Sequence, residues 1–176
     1  MAVDSANFSS GCDGSCKPNL NVLISASEQE LTLGVTSEII ITVKLQNYGE
    51  QSHSTWINMT VPNNTIFITY NQPTDQITDL VDCVHKVDSK FIQCDLRSLF
   101  YNQQIVIVNF RFYVSRNTLV SSNETLGNFN PLVSFQTDAF TTGVEADNSD
   151  NSKTVEIKTR LYSTIEFTGA SKPEQL

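Results

Sequence analysis

The feature that most constrains this chain is an alternation of apolar and polar residues in several short segments. Apolar side chains fall on every second residue from Ile39 to Leu45 and again within residues 55–61. The alternation is strongest from Val106 to Val114, a segment that includes Phe110 and Phe112. A period of two directs successive side chains to opposite faces of a β-strand, whereas an α-helix needs a period of about 3.6. The pattern therefore predicts strands with one buried face, and both phenylalanines are expected on that face.

The remaining apolar segments extend this prediction to the whole chain. Further strand candidates are residues 20–25, 65–70, 90–95, 132–140 and 154–167, separated by turn signals such as Asn47-Tyr48-Gly49 and Pro62-Asn63-Asn64. About seven or eight antiparallel strands with short polar turns are typical of an all-β fold, a two-sheet antiparallel immunoglobulin-like β-sandwich. The antibody variety is excluded, because Cys83 and Cys94 are close in sequence and the single Trp56 precedes both.

The charge of the chain argues against a nucleic-acid partner. Eleven Lys and Arg residues against nineteen Asp and Glu residues give a net charge of -8, and no basic cluster occurs. Binding to a phosphate backbone depends on clustered cations. No stretch approaches the roughly 20 apolar residues that cross a bilayer, so we also expect no direct membrane contact by this part of the chain.

Cysteines and glycosylation sequons indicate an extracellular chain. The four cysteines form two close pairs in the sequence, Cys12/Cys16 and Cys83/Cys94. Asn-x-Ser/Thr sequons, the acceptors of N-glycans, occur at Asn7, Asn58, Asn63 and Asn123. Sequons together with paired cysteines are typical of an oxidising compartment, where disulfides persist. Zinc binding by Cys12, Cys16, Cys83 and His85 is an alternative, although this spacing matches no common zinc finger.

Signatures of catalysis are poor, and we expect no enzymatic activity. The sequence has no G-x-S-x-G, no H-E-x-x-H and no Gly-rich phosphate loop, and its two histidines, His53 and His85, are expected to be exposed polar residues. Residues 145–152 are acidic but fail the EF-hand template, because Ser152 and Lys158 stand where a Gly and a bidentate carboxylate are needed. We therefore expect a solvated loop there.

The short segment from Cys12 to Cys16 is a second candidate for a cation site. A small disulfide loop would gather backbone carbonyls and the Asp13 carboxylate, and hard cations prefer such oxygen ligands. An ordinary stapled turn is the alternative interpretation.

Five motifs follow one another along the chain: Cys-x3-Cys-Lys-Pro-Asn-Leu at residues 12–20, Gln-Asn-Tyr-Gly-Glu at 46–50, Met-Thr-Val-Pro at 59–62, Phe-Ile-Gln-Cys-Asp-Leu at 91–96 and Phe-Arg-Phe-Tyr-Val at 110–114. In this order and rough spacing the chain resembles the upper calf domain of integrin α subunits. The resemblance covers about Cys12 to Arg160. It implies three parts. Residues 1–11 would be an added Met1 followed by the end of a thigh-like domain, residues 12–162 a calf-1-like sandwich, and residues 163–176 the start of a calf-2-like domain.

The resemblance also implies specific bonds and ligands. The disulfides would be Cys12–Cys16 and Cys83–Cys94. A divalent cation, usually calcium, would lie at the knee between thigh and calf, held by a set that we expect to be the carboxylates of Glu50 and Asp13 with backbone carbonyls of Cys12 and Ser15. The small loop is shorter here than is usual in the family.

The function implied is that of a rigid leg domain in a cell-adhesion receptor. It would transmit conformational change between a ligand-binding head and the membrane, with a hinge at its N-terminal end. The implied partners are an integrin β subunit and the neighbouring leg domains, and the implied location is the ectodomain of a single-pass plasma-membrane protein. An alternative is a sandwich binding module of a secreted or cell-surface adhesin that engages a ligand through its end loops.

Overall fold

The chain folds into β-strands, as the alternation predicts. In this computed structural model the described residues are 12, 15–33, 38–63, 65–73, 81–114 and 132–161. Within them lie ten strands: β1 (Leu20–Ala26), β2 (Glu30–Leu33), β3 (Glu38–Asn47), β4 (Thr55–Thr60), β5 (Thr65–Asn71), β6 (Val81–Lys86), β7 (Phe91–Leu96), β8 (Ile105–Val114), β9 (Leu132–Thr141) and β10 (Ser152–Leu161). No helix among these residues is long and apolar enough to span a membrane.

The strands form two sheets packed face to face. One sheet has the order β1-β3-β8-β5, and the other has the order β2-β10-β9-β4-β7-β6. The pairings are antiparallel, with the exception of β2, which pairs parallel to β10. The predicted class, an immunoglobulin-like two-sheet β-sandwich, is confirmed.

Two details of the predicted sandwich are wrong. Ten strands are present in the described residues instead of seven or eight, and one pairing is parallel. β2 has only four residues, too few for a period of two to stand out. β6 reads VDCVHK, in which polar side chains interrupt the alternation because this edge strand is only partly buried.

The core consists of the inward-facing residues of both sheets. Phe110 and Phe112 are fully buried on β8, whereas Arg111 between them is exposed, which confirms the predicted register. The ring of Phe112 lies 4.7 Å from that of Phe135 on β9, centroid to centroid, so the two sheets meet through aromatic contact. The pattern of apolar residues thus sets which face of β8 is buried.

A disulfide fastens the edge of the larger sheet. Cys83 on β6 and Cys94 on β7 lie directly opposite each other, with a Cα–Cα distance of 4.0 Å. His85 lies on β6 and not in a loop, and its ring makes a T-shaped contact with Phe67 at 5.4 Å. The expectation of an exposed His85 is therefore wrong, because β6 continues through this position and the ring packs against Phe67.

Candidate functional site

Asn47 is the central residue of the sandwich end at which β1 begins. Its side chain is fully buried. Nδ2 donates to the carbonyl oxygens of Glu50 at 2.7 Å and Phe100 at 2.9 Å. Oδ1 accepts from the backbone N–H groups of Asn19 at 3.1 Å and Gly49 at 2.9 Å. One buried amide therefore connects the start of β1, the turn after β3 and the loop before β8.

Backbone hydrogen bonds bring the same segments still closer. Tyr48 N donates to Asn19 O at 2.8 Å, and Glu50 N donates to Lys17 O at 3.0 Å. A Cβ atom added at Gly49 would lie 2.5 Å from both Lys17 O and Asn19 N, which is too close for any side chain. We expected this glycine to permit a sharp turn, but the structure gives a steric reason, the direct approach of two backbones.

Glu50 links this N-terminal contact, made by residues 17–19 with residues 47–50, to the small disulfide. Glu50 Oε2 accepts from Lys17 N at 2.7 Å. The Cys12–Cys16 bond, with an S–S distance of 2.05 Å, closes the small loop immediately before Lys17. The carboxylate that the family resemblance implies as a cation ligand therefore lies beside the C-terminal end of this loop.

The remaining predicted cation ligands are described only in part. Cys12 is half-buried and Ser15 is exposed, while Asp13 lies outside the described residues. Within the described ranges, no group of three or more His, Cys, Asp or Glu side chains is placed to hold a metal ion. The zinc alternative is wrong, because all four cysteines are joined in disulfides.

The acidic loop between β9 and β10 packs on the same end of the sandwich. Glu145 Oε1 accepts from Leu20 N at 2.9 Å, and the carbonyl of Asp150 accepts from Val22 N at 3.1 Å. The expectation of a fully solvated loop across residues 145–152 is therefore wrong, because the loop supplies acceptors to β1.

The environment of Glu145 shifts its ionisation. Partial burial raises the pKa of the Glu145 carboxyl above its ordinary value of 4.5. Hydrogen bonds from Leu20 N–H and from the Asn151 amide oppose that shift, whereas the charges of Asp150 and Asp147 add to it. Desolvation is the largest of these effects, so the charged form of Glu145 is disfavoured in the folded protein.

Of the other predicted site residues, His53 lies at this end, whereas the sequon asparagines lie elsewhere or outside the described residues. His53 is exposed, with Nε2 3.8 Å from Cys16 Sγ. Asn58 is half-buried on β4, and Asn63 is exposed in the turn that follows. The sequons at Asn7 and Asn123 lie outside the described residues, as do residues 1–11 and 163–176 of the predicted flanking domains.

Sequence reasoning did not identify the role of Asn47. The Asn-x-Gly pattern at residues 47–49 is typical of an Asx turn, in which the side-chain oxygen accepts from the backbone two residues on. That pattern accounts for the Gly49 hydrogen bond. The bonds to Asn19 and Phe100 join residues far apart in sequence and depend on the tertiary fold.

The fold is that of an immunoglobulin-like β-sandwich. Solved structures with a similar fold include a chain of a type I cohesin–dockerin complex from Clostridium thermocellum, at 14% identity and a TM-score of 0.54, covering 85% of this chain and 99% of that one. Another is a type I cohesin from Pseudobacteroides cellulosolvens, at 12% identity and a TM-score of 0.49, covering 86% of this chain and 99% of that one. A third is the collagen-binding domain of a Staphylococcus aureus adhesin, at 6% identity and a TM-score of 0.48, covering 78% of this chain and 95% of that one. The likeness to the first of these, with a TM-score above 0.5, concerns the fold alone.

A family comparison gives the more specific result. The profile of the integrin alpha Ig-like domain 2 matches residues 11–158. The chain therefore belongs to the integrin alpha Ig-like domain 2 family. Domains of this family are extracellular, non-enzymatic and adhesion-related, and the family implies a β subunit as partner in the full receptor.

Proposed function

We propose that this domain is a rigid leg segment that transmits conformational change between the head of an integrin-type receptor and the membrane, and that its N-terminal end is a hinge. The observation that supports this most is the buried Asn47 amide with its four hydrogen bonds. It fixes the residues that follow the small disulfide loop to the sandwich. Motion would then be confined to the chain before residue 17.

The bonding of the chain from Lys17 onward supports placing the hinge ahead of that residue. Lys17 is held on both sides, because its N–H donates to the Glu50 carboxylate and its carbonyl accepts from Glu50 N. The Pro18 carbonyl accepts from Ala146 N at 2.9 Å, and β1 then pairs with β3. A segment held by many hydrogen bonds moves with the body to which it is bonded, whereas hinges lie in the few residues between such bodies.

Calcium at this end is part of the proposal. The Glu50 carboxylate, which accepts from Lys17 N next to Cys16, would join the Asp13 carboxylate and the carbonyls of Cys12 and Ser15 in the ligand set. Because the described residues offer no cluster of acidic ligands here, backbone and water oxygens would have to supply most of the six to eight that calcium takes. Bound calcium would supply a cross-link between the small loop and the turn after β3.

The calcium part has a direct test. In calorimetric titration of a chain extended through the preceding domain, we expect heat of calcium binding that Glu50→Gln removes. The matched variant Glu156→Gln, at an exposed position on β10, should bind as the unaltered protein does. No calcium binding in the extended chain, or equal binding by both variants, would contradict this part.

The hinge part is tested in the whole receptor. Energy transfer between a fluorophore on the head and a dye in the membrane of expressing cells measures how far the head stands from the bilayer. Glu50→Ala removes the bond that holds Lys17 to the sandwich, so the mobile segment should extend past residue 17 and the distribution of head-to-bilayer distances should broaden. Glu156→Ala is the control. Equal behaviour of the two variants would contradict a hinge braced by Glu50, and direct capture of a ligand by this domain alone would favour a binding module instead.

A further inference from the structure

An aromatic pair lies on the outer face of the larger sheet, away from the core. Trp56 on β4 and Phe140 on β9 are direct cross-strand neighbours. Their rings are stacked, with centroids 5.6 Å apart and an interplanar angle of 17°. Phe140 is 38% exposed, so the pair presents an apolar surface to solvent. Nothing in the fold requires such a surface here, because the core residues of β4 are those on its opposite face.

A glycosylation sequon lies next to this pair on the same face. In β4 the residues Trp56, Asn58 and Thr60 occupy alternate positions, so all three side chains project from the outer face. Asn58 is thus two residues, roughly 7 Å, from Trp56 along the strand. In the neighbouring strands, Asn58 lies opposite Gln93 and Asp138.

The oxygen of the Asn58 amide is not engaged in a hydrogen bond, and this Oδ1 atom is buried. Nδ2, the atom that carries an N-glycan, is the other end of the same amide. The flanking Asp138 carboxylate accepts from Gln136 Nε2 at 3.0 Å, and Gln93 Nε2 donates to Asp95 at 3.0 Å, so both neighbours are bonded along their own strands.

We propose that Asn58 carries an N-glycan whose first N-acetylglucosamine packs on the Trp56–Phe140 pair. The C–H bonds on one face of the sugar are weakly positive, and the faces of aromatic rings are negative, so the two attract and both leave water. The proposal requires only passage through the secretory pathway, as the extracellular family implies, and does not depend on the hinge.

The attachment is an ordinary group transfer. Asn58 Nδ2 forms a bond to the anomeric carbon of a lipid-linked oligosaccharide diphosphate, the bond between that carbon and the diphosphate oxygen breaks, and the lipid diphosphate leaves. Nδ2 loses one proton to solvent. The cell's own transferase and donor supply the reaction.

The sequon at Asn63 provides a matched comparison. Asn63 is exposed, and its Oδ1 accepts from Lys90 Nζ at 2.6 Å. Val61, two residues before it, is buried and so cannot offer a surface to a sugar. A glycan at Asn63 should therefore extend into solvent without stabilising the sandwich.

The test uses the whole 176-residue chain secreted from cultured mammalian cells. Mass spectrometry of glycopeptides should find a glycan on Asn58, and its absence from secreted, folded protein would overturn the proposal. Thr60→Val removes the sequon and keeps a β-branched residue, whereas Thr60→Ser keeps the sequon. Thr60→Val should lower the equilibrium constant for folding by about threefold to tenfold relative to Thr60→Ser, the range of one aromatic contact.

Two further measurements separate sugar packing from a general effect of the glycan. Trimming every glycan to its first sugar should leave the difference between the Thr60 variants intact, because that sugar makes the contact. In a Phe140→Thr background, the difference in folding equilibrium between the two Thr60 variants should disappear. The same difference should persist when the Asn63 sequon is removed. If Phe140→Thr fails to fold, proton NMR of the trimmed protein decides: ring-current shifts of the sugar protons are expected, and unshifted protons would overturn the packing.

Discussion

Asn47→Ala should be among the most destabilising single substitutions at the N-terminal end. The change removes two bonds donated to the carbonyls of Glu50 and Phe100 and two accepted from the N–H groups of Asn19 and Gly49. At about 1 kcal/mol for each bond, and more for a partner left buried, the free energy of unfolding should fall by about 3–5 kcal/mol. That is a large part of the total stability of an ordinary domain, about 5–15 kcal/mol.

Equilibrium denaturation in urea, followed by the fluorescence of the single Trp56, measures this loss. Asn102→Ala, the same substitution at an exposed position in the neighbouring loop, should change the free energy of unfolding by less than about 0.5 kcal/mol.

Asn47→Asp tells hydrogen bonding from packing. Aspartate has the size and shape of asparagine but cannot donate, so its oxygen would face the two carbonyls that Nδ2 now satisfies. We expect a loss as large as that of the alanine variant. A cost below about 1 kcal/mol for Asn47→Ala, or a neutral Asn47→Asp, would refute the reasoning that this amide holds the end together.

Three further predictions concern the core, the edge and the acidic loop. Replacing Cys83 and Cys94 by Ser should lower the free energy of unfolding by about 3 kcal/mol, the chain-entropy value for a bridge that spans 11 residues; unchanged thermal denaturation would contradict it. Phe110→Ala should cost about 3–5 kcal/mol in denaturant titrations and Arg111→Ala less than about 1, and equal costs would count against the buried face. Because the folded-state pKa of Glu145 is raised, its contribution to stability is present below about pH 4.5 and is lost as pH rises through the raised value. The free energy of unfolding, measured relative to Glu145→Gln, should therefore fall as pH rises from about 4.5 through the raised pKa. A rise over the same pH range would contradict a raised pKa for Glu145.

The sequence predicts the two-sheet fold well where one face of a strand is buried. The alternation in β3 and β8 reports directly on which side chains enter the core, as Phe110 and Arg111 demonstrate. It fails for β2 and β6, because a strand of four residues or a polar edge strand carries little periodic pattern.

The candidate site is predicted less completely. The motif containing Glu50 directs attention to the turn after β3, and the structure places the Glu50 carboxylate beside Lys17. The buried hydrogen bonds of Asn47 and the contacts of Glu145 with β1 join residues distant in sequence. Such bonds form only once the strands are in register, so no local sequence pattern predicts them.

Single-particle electron microscopy of the complete receptor ectodomain, with α and β subunits together, tests the central claim most directly. The angle between this sandwich and its neighbour can be measured on each side in every class of particle. We predict a wide distribution of angles at the N-terminal junction, ahead of residue 17, and an unchanged sandwich in bent and extended classes. Bending concentrated at the C-terminal junction, or a sandwich whose N-terminal contact opens between the classes, would contradict the account.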